Sequence, residues 1–304
     1  SDYPLRDVYK RQNLYLDRNL IDTLDQPLFA KSRGSELEVL NLSQNRVSLI
    51  SIRAFINMCN LKQLDLSENR IETLDNDIFR ELESLEILDL KNNGLKTIQT
   101  NAFNGLKSLK SLDLSMNSIE ELEKNVFKEL ASLNDLNLYY NEIRRLHATS
   151  FLGLTSLKSL NLSLNQIESI NTDFLLDNFV SLQELNLKFN EIRAIKKNTF
   201  KKLGKLVHLD LSVNRIEMME DFCFKTLENL KSLRLESNKL STLSAKTFQG
   251  LSALDSLNLS QNDLESIDEF VFMNLVNLTQ LSIEFNCLRS INANSFNCLF
   301  NLIE

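Results

Sequence analysis

The sequence predicts an α/β repeat solenoid: a curved stack of coils with a concave parallel β-sheet and convex loops or short helical turns. Two observations predict this fold. The pattern L-x-x-L-x-L-x-x-N recurs along nearly the whole chain, as in the segment LKQLDLSEN at 61–69. A phenylalanine follows the asparagine of almost every copy by ten residues. Self-similarity at a short fixed period is typical of repeat proteins, in which each copy contacts only its neighbours.

The leucines of each copy predict a short strand. In L-x-L the two leucines alternate with polar residues, so both face inward while the residue between them faces outward. One such strand cannot bury its apolar face alone, and stacked copies form a parallel sheet with strands about 4.8 Å apart. Twelve strands would therefore span roughly 50 Å.

The asparagine that closes each copy has a structural role. Where the chain turns after the strand, backbone N–H and C=O groups inside the coil lack sheet partners, and a short amide supplies both donors and an acceptor. Most intervals between these residues are 24 residues, with one of 26 and one of 25. We call this column the asparagine ladder; it comprises Asn19, Asn45, Asn69, Asn93, Asn117, Asn141, Asn165, Asn190, Asn214, Asn238, Asn262 and Asn286.

The phenylalanines predict an aromatic spine that fills the convex half of the coils. Leu175 replaces phenylalanine in the 25-residue repeat, and we expect the extra residue between Leu175 and Leu182, with Phe174 or Phe179 refilling the gap. The insertion at 31–35, KSRGS, reads as a loop. The spine positions are Phe29, Phe55, Phe79, Phe103, Phe127, Phe151, Leu175, Phe200, Phe224, Phe248, Phe272 and Phe296.

The complete unit, L-x-x-L-x-L-x-x-N-x-[ILV]-x-x-[IL]-x5-F-x-x-L, resembles the "typical" 24-residue leucine-rich repeat of animal extracellular proteins. Toll-like receptor ectodomains, Slit-type guidance proteins and chaoptin-like adhesion proteins are similar to it over residues 13–304. The resemblance implies a leucine-rich-repeat horseshoe without catalytic residues, metal or cofactor. It also implies a protein or other extracellular ligand on the concave face or its edge, with dimerisation on ligand binding as one mode of action.

The resemblance further implies a location at the cell surface, as part of a single-pass membrane protein whose spanning segment is absent from this chain. An intracellular leucine-rich-repeat scaffold is the alternative. The cysteine-rich caps of the family are missing at both ends, so we expect the natural protein to continue in both directions. Residues 1–12 fit no repeat, and we interpret them as cloning-derived or disordered. Residues 13–304 form an array of about twelve repeats.

Residues suited to catalysis are sparse. His147 and His208 lie far apart in the stack, no nucleophile accompanies them in a recognisable motif, and no glycine-rich phosphate loop occurs. The net charge of −7 argues against general nucleic-acid binding, which requires basic surface. The spacing of Cys59, Cys223, Cys287 and Cys298 does not favour disulfides, and we expect free thiols packed as small hydrophobes.

The position before the ladder asparagine predicts a partner-binding site. Five consecutive repeats carry apolar residues there, joined by Tyr139, while the flanking repeats carry Asn92 and Ser237. Contiguous exposed apolar surface with aromatic residues marks interaction sites. Internal packing is the alternative, because strand alternation no longer fixes side-chain direction at this position. We call the five residues the apolar stripe: Met116, Tyr140, Leu164, Phe189 and Val213.

Three further features admit two interpretations each. The outward column with Asp65, Asp89 and Asp113 could attract a cation or a basic ligand, or reflect the repeat consensus. The N-x-[ST] sequons at Asn41, Asn161, Asn258 and Asn277 are candidates for glycosylation, but three arise from the repeated LNLS. A convex basic run could bind an anionic glycan, or pair laterally with Glu220 and Asp221 as a structural surface. That run comprises Lys196, Lys197, Lys201, Lys202 and Lys205.

Overall fold

The structure, a computed structural model, describes residues 12–29, 36–147, 149–170 and 179–303 and confirms the predicted solenoid. Twelve three-residue strands form one parallel sheet in the order in which they occur along the chain. They are β1 (Asn13–Tyr15), β3 (Val39–Asn41), β5 (Gln63–Asp65), β7 (Ile87–Asp89), β9 (Ser111–Asp113), β10 (Asp135–Asn137), β11 (Ser159–Asn161), β12 (Glu184–Asn186), β14 (His208–Asp210), β16 (Ser232–Arg234), β17 (Ser256–Asn258) and β19 (Gln280–Ser282).

The sheet keeps one register throughout, with the same repeat position paired at every step. Leu64 pairs with Leu88 and Asp65 with Asp89, so identical positions form continuous columns. The register also holds across the two irregular intervals, where Leu14 pairs with Leu40 and Leu160 with Leu185. The extra residues of those repeats are therefore accommodated outside the sheet.

Short two-residue strands, which the repeat pattern does not predict, follow the asparagine turn in several coils. They pair in parallel as β2–β4, β6–β8, β13–β15 and β18–β20. Most of them end on a buried residue, such as Leu74 or Ile98, whereas Ile291 at the end of β20 is exposed. Their bounds are β2 (Thr23–Leu24), β4 (Leu49–Ile50), β6 (Thr73–Leu74), β8 (Thr97–Ile98), β13 (Ala194–Ile195), β15 (Met218–Met219), β18 (Ser266–Ile267) and β20 (Ser290–Ile291).

The convex side consists of successive turns. In one coil the N–H groups of Ala54 and Met58 donate to the carbonyl oxygens of Ser51 and Phe55, three residues earlier, at 2.9 and 3.2 Å. Such bonds are typical of turns and of single 3₁₀ steps. No α-helix occurs in the described ranges, and no helix there is long and apolar enough to cross a membrane.

The core is a stack of leucine columns closed by the aromatic spine. Successive spine rings lie between 5.6 Å (Phe151 and Phe179) and 6.4 Å (Phe79 and Phe103) apart, centroid to centroid. Phe179 is 1% exposed and stands in the spine of the 25-residue repeat, as one of the two predicted substitutions for the missing phenylalanine. The other candidate, Phe174, and the position Leu175 lie outside the described residues, as do the insertion at 31–35 and residues 1–11.

The asparagine ladder connects neighbouring coils through its side-chain amides. Nδ2 of Asn69 donates to the carbonyl oxygens of Leu66 in its own coil and Leu42 in the preceding coil, at 3.0 and 2.9 Å. Oδ1 of the same residue accepts the N–H of Val47 at 2.9 Å. Because this arrangement recurs from coil to coil, the backbone next to each asparagine is held in one position along the whole array.

Candidate ligand-binding edge of the sheet

The apolar stripe lies at the carboxyl end of the strands, in a fixed left-handed backbone. Its φ angles run from 52° at Val213 to 57° at Met116. The N–H of each residue donates to a carbonyl oxygen of the next coil, for example Met116 to Tyr139 at 2.8 Å and Phe189 to Ser212 at 3.1 Å. Hydrogen bonds between coils therefore fix the backbone conformation at these positions, whereas the exposure of each side chain depends on its own neighbours.

Exposure separates the members of the stripe. Tyr140 is 55% exposed, Phe189 is 44% exposed and Met116 is 37% exposed. Leu164, which lies between Tyr140 and Phe189, is half-buried, and so is Val213 at the end of the stripe. The side-chain direction, which the sequence left open, is therefore outward for Tyr140 and Phe189. Among the aliphatic members, Met116 is exposed, whereas Leu164 and Val213 are half-buried.

The left-handed conformation does not favour apolar side chains at these positions. Asparagine and glycine adopt it at low cost, whereas a β-branched residue such as Val213 is strained there by roughly 1–2 kcal/mol. Asn92, at the equivalent position of a flanking coil, has a side chain suited to this backbone. Neither local conformation nor complete burial therefore accounts for five adjacent apolar residues.

Tyr139 and Lys188 extend the stripe. The rings of Tyr139 and Tyr140 lie 6.1 Å apart, and Tyr139 is half-buried beside the more exposed ring. Nζ of Lys188 lies 5.2 Å from the centre of the Phe189 ring, within the range of a cation–π interaction. The centre of the array thus presents two aromatic positions, one of them with an adjacent cation.

The concave face beside the stripe is polar. A hollow of about 390 Å³ is lined by the outward side chains of β11, β12, β14 and β16. His208 and Glu184 occupy paired positions there, and Arg234 lies 3.7 Å from the Asp210 carboxylate in the neighbouring strand. A ligand seated at this place would meet charged groups on the sheet and apolar groups at its edge.

The outward aspartates have a structural explanation. Oδ1 of Asp89 accepts the N–H of Lys91 at 2.9 Å, and the asparagines of the same column do the same, as when Asn137 accepts the N–H of Tyr139. The column therefore supports the turn into the stripe. Burial, together with the smaller effects of the adjacent Asp113 and Asp65 carboxylates, raises the pKa of Asp89 to about 6 against the opposing hydrogen bond from the Lys91 N–H. Within the described residues, no group of His, Cys, Asp and Glu side chains is placed to hold a metal ion.

The four sequons occupy two different environments. Asn41, Asn161 and Asn258 are half-buried in the sheet column, and each accepts the N–H of the serine two residues later. Asn161 also lines the concave hollow. Asn277 is instead exposed before the next strand begins, and its Nδ2 donates to the Ser252 carbonyl oxygen at 2.7 Å.

The cysteines are free, but the expectation that they pack as small hydrophobes holds only in part. Cys223 is buried, and burial raises the pKa of its thiol to about 12. Cys59 and Cys287 are exposed, so the expectation is wrong for them. The reason is their position in the repeat, where neighbouring coils carry charged residues. Glu83 is equivalent to Cys59 in the following coil, and Asp263 is equivalent to Cys287 in the preceding coil.

The basic run makes different lateral contacts from those predicted. Asp221 pairs with Lys246 of the following coil, with Nζ 3.7 Å from Oδ2. Oε2 of Glu220 accepts the backbone N–H of Lys197 at 2.8 Å. These carboxylates are thus engaged by groups other than the lysine ammoniums expected from the sequence register.

Comparison with known proteins places these features in a family. The family model described as "Leucine rich repeat" matches residues 12–71, 59–119, 107–167, 158–216, 206–264 and 254–303. Leucine-rich repeat-containing protein 3B of human, mouse and cattle is 41% identical over 72 residues, which are 23% of this chain and 27% of the relative. The chain therefore spans about a quarter of the length of these curated relatives.

Several solved structures are similar over most of the chain, the TLR13 and Toll complexes among them. The TLR13–ssRNA13 complex matches with a TM-score of 0.79 and 28% identity, over 93% of this chain and 44% of the other. The Toll–Spatzle complex of Drosophila matches with a TM-score of 0.78 and 26% identity, over 85% of this chain and 34% of the other. Since one of these folds is seen with single-stranded RNA, the expectation that nucleic acid is excluded rests on the charge of this chain and not on its architecture.

Proposed function

Because the chain belongs to the leucine-rich repeat family, we propose that it is a non-enzymatic binding scaffold from the extracellular region of a receptor or adhesion protein. Its ligand is a protein that contacts the apolar stripe at the edge of the concave sheet. The observation that carries this proposal is the run of adjacent apolar residues, with Tyr140 and Phe189 exposed, in a backbone conformation that does not favour apolar side chains.

The energetics point to the aromatic members of the stripe. Complete burial of an apolar side chain contributes roughly 1.5–3 kcal/mol. Ordering and lost translational freedom offset much of the summed gain. Aromatic residues dominate the remainder in most interfaces, so Tyr140 and Phe189, the most exposed members, are expected to contribute most.

A protein ligand fits the surface better than a nucleic acid does. The chain carries a net charge of −7, and the concave hollow combines Glu184 and Asp210 with His208 and Arg234. Such mixed charge suits the polar rim of a protein interface, whereas a nucleic acid requires excess positive charge. The structure of Toll in complex with Spatzle supports the same choice.

The extracellular location is supported by the similarity to Toll and TLR13. In that location the sequons are candidates for glycosylation. We propose that Asn277 carries a glycan that does not affect ligand binding. A glycan on Asn161 would instead occupy the hollow beside the stripe.

A paired binding experiment tests the proposal. The chain and its variant Tyr140→Ala/Phe189→Ala are immobilised and offered the extracellular proteins of the source tissue, and each captured protein is then purified and titrated. The control variant is Tyr15→Ala/Phe270→Ala, which removes two aromatic residues that are 61% and 51% exposed elsewhere. We expect at least one ligand whose Kd rises tenfold or more in the stripe variant and is unchanged in the control.

The melting curve of each variant separates binding from folding. The stripe variant should melt within a few degrees of the parent chain, because both side chains are largely exposed. If the melting temperature falls steeply and the folded fraction binds normally, the stripe is internal packing and the proposal is wrong. If the stripe and control variants lose the same ligands equally, the site lies elsewhere.

A further inference from the structure

A second surface, on the convex side, gathers lysines around one phenylalanine. Phe222 is half-buried, with a left-handed φ of 65°, in the turn after β15. The Nζ atoms of Lys197, Lys225 and Lys246 lie 5.5, 5.9 and 5.5 Å from the centre of its ring. These lysines come from three successive coils, so their positive charges converge on one place.

The surface is a hollow and not a flat patch. Its volume is about 340 Å³, and its lining includes Lys197, Lys201, Lys225 and the Phe222 ring but no carboxylate. The coil at 196–206 carries five lysines and no acidic residue. Bringing like charges together raises their mutual repulsion, and an anion bound among them would relieve it.

The nearby carboxylates are engaged elsewhere. Asp221 pairs with Lys246, and Glu220 accepts the backbone N–H of Lys197. Among the described residues, no ion pair engages Lys197, Lys201 or Lys225. Three ammonium groups around the hollow are therefore open to an external anion.

We propose that this lysine hollow binds a sulfated polysaccharide. On the convex side the spine rings of these three coils lie 5.7 and 6.4 Å apart, so their lysines are distributed over roughly 12 Å. That spread matches several charges along a linear polyanion and exceeds the size of a single phosphate. Lysine ammoniums lie over the Phe222 ring, and a nucleic-acid base would have to displace them in order to stack there.

The lysine hollow is separate from the apolar stripe, and its binding does not depend on the protein ligand proposed above. Only the natural availability of the polysaccharide rests on the proposed extracellular location. A membrane surface fits less well, because a planar array of headgroups would meet the outermost lysines and not those that line a hollow. The experiment therefore uses heparin, a polysaccharide that is soluble and defined.

The test compares two triple variants of the whole chain. Lys197→Gln/Lys201→Gln/Lys225→Gln removes three charges at the hollow. The matched control removes three exposed convex lysines of two other neighbouring coils, in Lys107→Gln/Lys124→Gln/Lys128→Gln. Heparin binding is titrated over a range of salt concentrations, and circular dichroism melting verifies that each variant is folded.

We expect the parent chain and the control to bind heparin at about 0.15 M salt. The hollow variant should bind at least tenfold more weakly, with a slope of log Kd against log salt reduced by about 2–3. None of the three proteins should bind desulfated heparin measurably. Absence of heparin binding by the parent chain, or equal weakening in both variants, would overturn the proposal. So would tighter binding of a single-stranded oligonucleotide or of phosphatidylserine vesicles than of heparin.

Discussion

Nδ2 of Asn141 donates to the carbonyl oxygen of Leu114, one coil earlier, at 3.0 Å. It also donates to Leu138 in its own coil, and Oδ1 accepts the N–H of Ile119. One buried side chain thus satisfies three backbone groups in two coils, immediately beside Tyr140 of the apolar stripe.

Replacing Asn141 with alanine should therefore lower the free energy of unfolding by about 1–3 kcal/mol, because buried backbone groups lose their partners. Asn229→Ala is the control, since it removes one exposed bond, to the carbonyl oxygen of Gly204. Chemical denaturation measures both variants. Equal, small losses would mean that water replaces the ladder amide and that the ladder does not determine stability.

The aspartate column predicts a pH dependence. The pKa of Asp89 is about 6 in the folded chain, above its unfolded value near 3.9. The folded state therefore binds the proton more tightly than the unfolded state, and this residue's effect on stability becomes unfavourable as the pH rises from about 4 to about 6. Asp89→Asn retains the Oδ1 acceptor and removes the charge, so it should unfold at higher denaturant concentration at pH 7.5.

That advantage of Asp89→Asn should disappear at about pH 3, below both pKa values, where the carboxyl is protonated in both states. The same change at Asp210, which faces Arg234 at 3.7 Å, should not stabilise the chain, because it breaks an ion pair. A stabilisation by Asp89→Asn that is equal at both pH values would contradict the raised pKa of Asp89 in the folded chain.

Backbone strain in the stripe predicts a stabilising substitution. Val213 has a φ of 52°, which asparagine tolerates better than a β-branched residue. We expect Val213→Asn to raise the free energy of unfolding by roughly 0.5–1 kcal/mol, after allowance for its partial burial. Val213→Ala, which keeps the unfavourable conformation and loses the same contacts, should not stabilise. Urea titration distinguishes them, and a loss of stability in Val213→Asn would show that packing outweighs strain.

The spine predicts a sharp contrast between two adjacent residues. Phe179 is 1% exposed and lies 5.6 Å from Phe151, whereas Val180 is 48% exposed. Phe179→Ala should lower the free energy of unfolding by about 3–5 kcal/mol through the cavity it leaves. Val180→Ala should change it by less than about 1 kcal/mol. Similar values for both variants would show that the 25-residue repeat does not rely on Phe179.

The sequence by itself determined the architecture, because every copy of the repeat places the same residue types at the same positions. An inward leucine such as Leu64 and a buried amide such as Asn69 follow from spacing alone, and the same spacing gives the register Leu64 to Leu88. The position of the apolar stripe in the chain was likewise apparent from the sequence. Periodicity suffices for such features because every coil contacts only equivalent positions of its neighbours.

The tertiary structure decided what periodicity leaves open. Strand alternation ends at the turn, so only the three-dimensional structure gives the left-handed backbone of Tyr140 and its exposure. The choice of Phe179 for the spine and the exposure of Cys59 also depended on how an individual coil closes. The lysines around Phe222 occupy different positions in their repeats, and they meet because stacking brings side chains that are distant in sequence within a few ångströms. A linear pattern defines the columns of a solenoid, whereas contacts between different columns depend on the three-dimensional path of the chain.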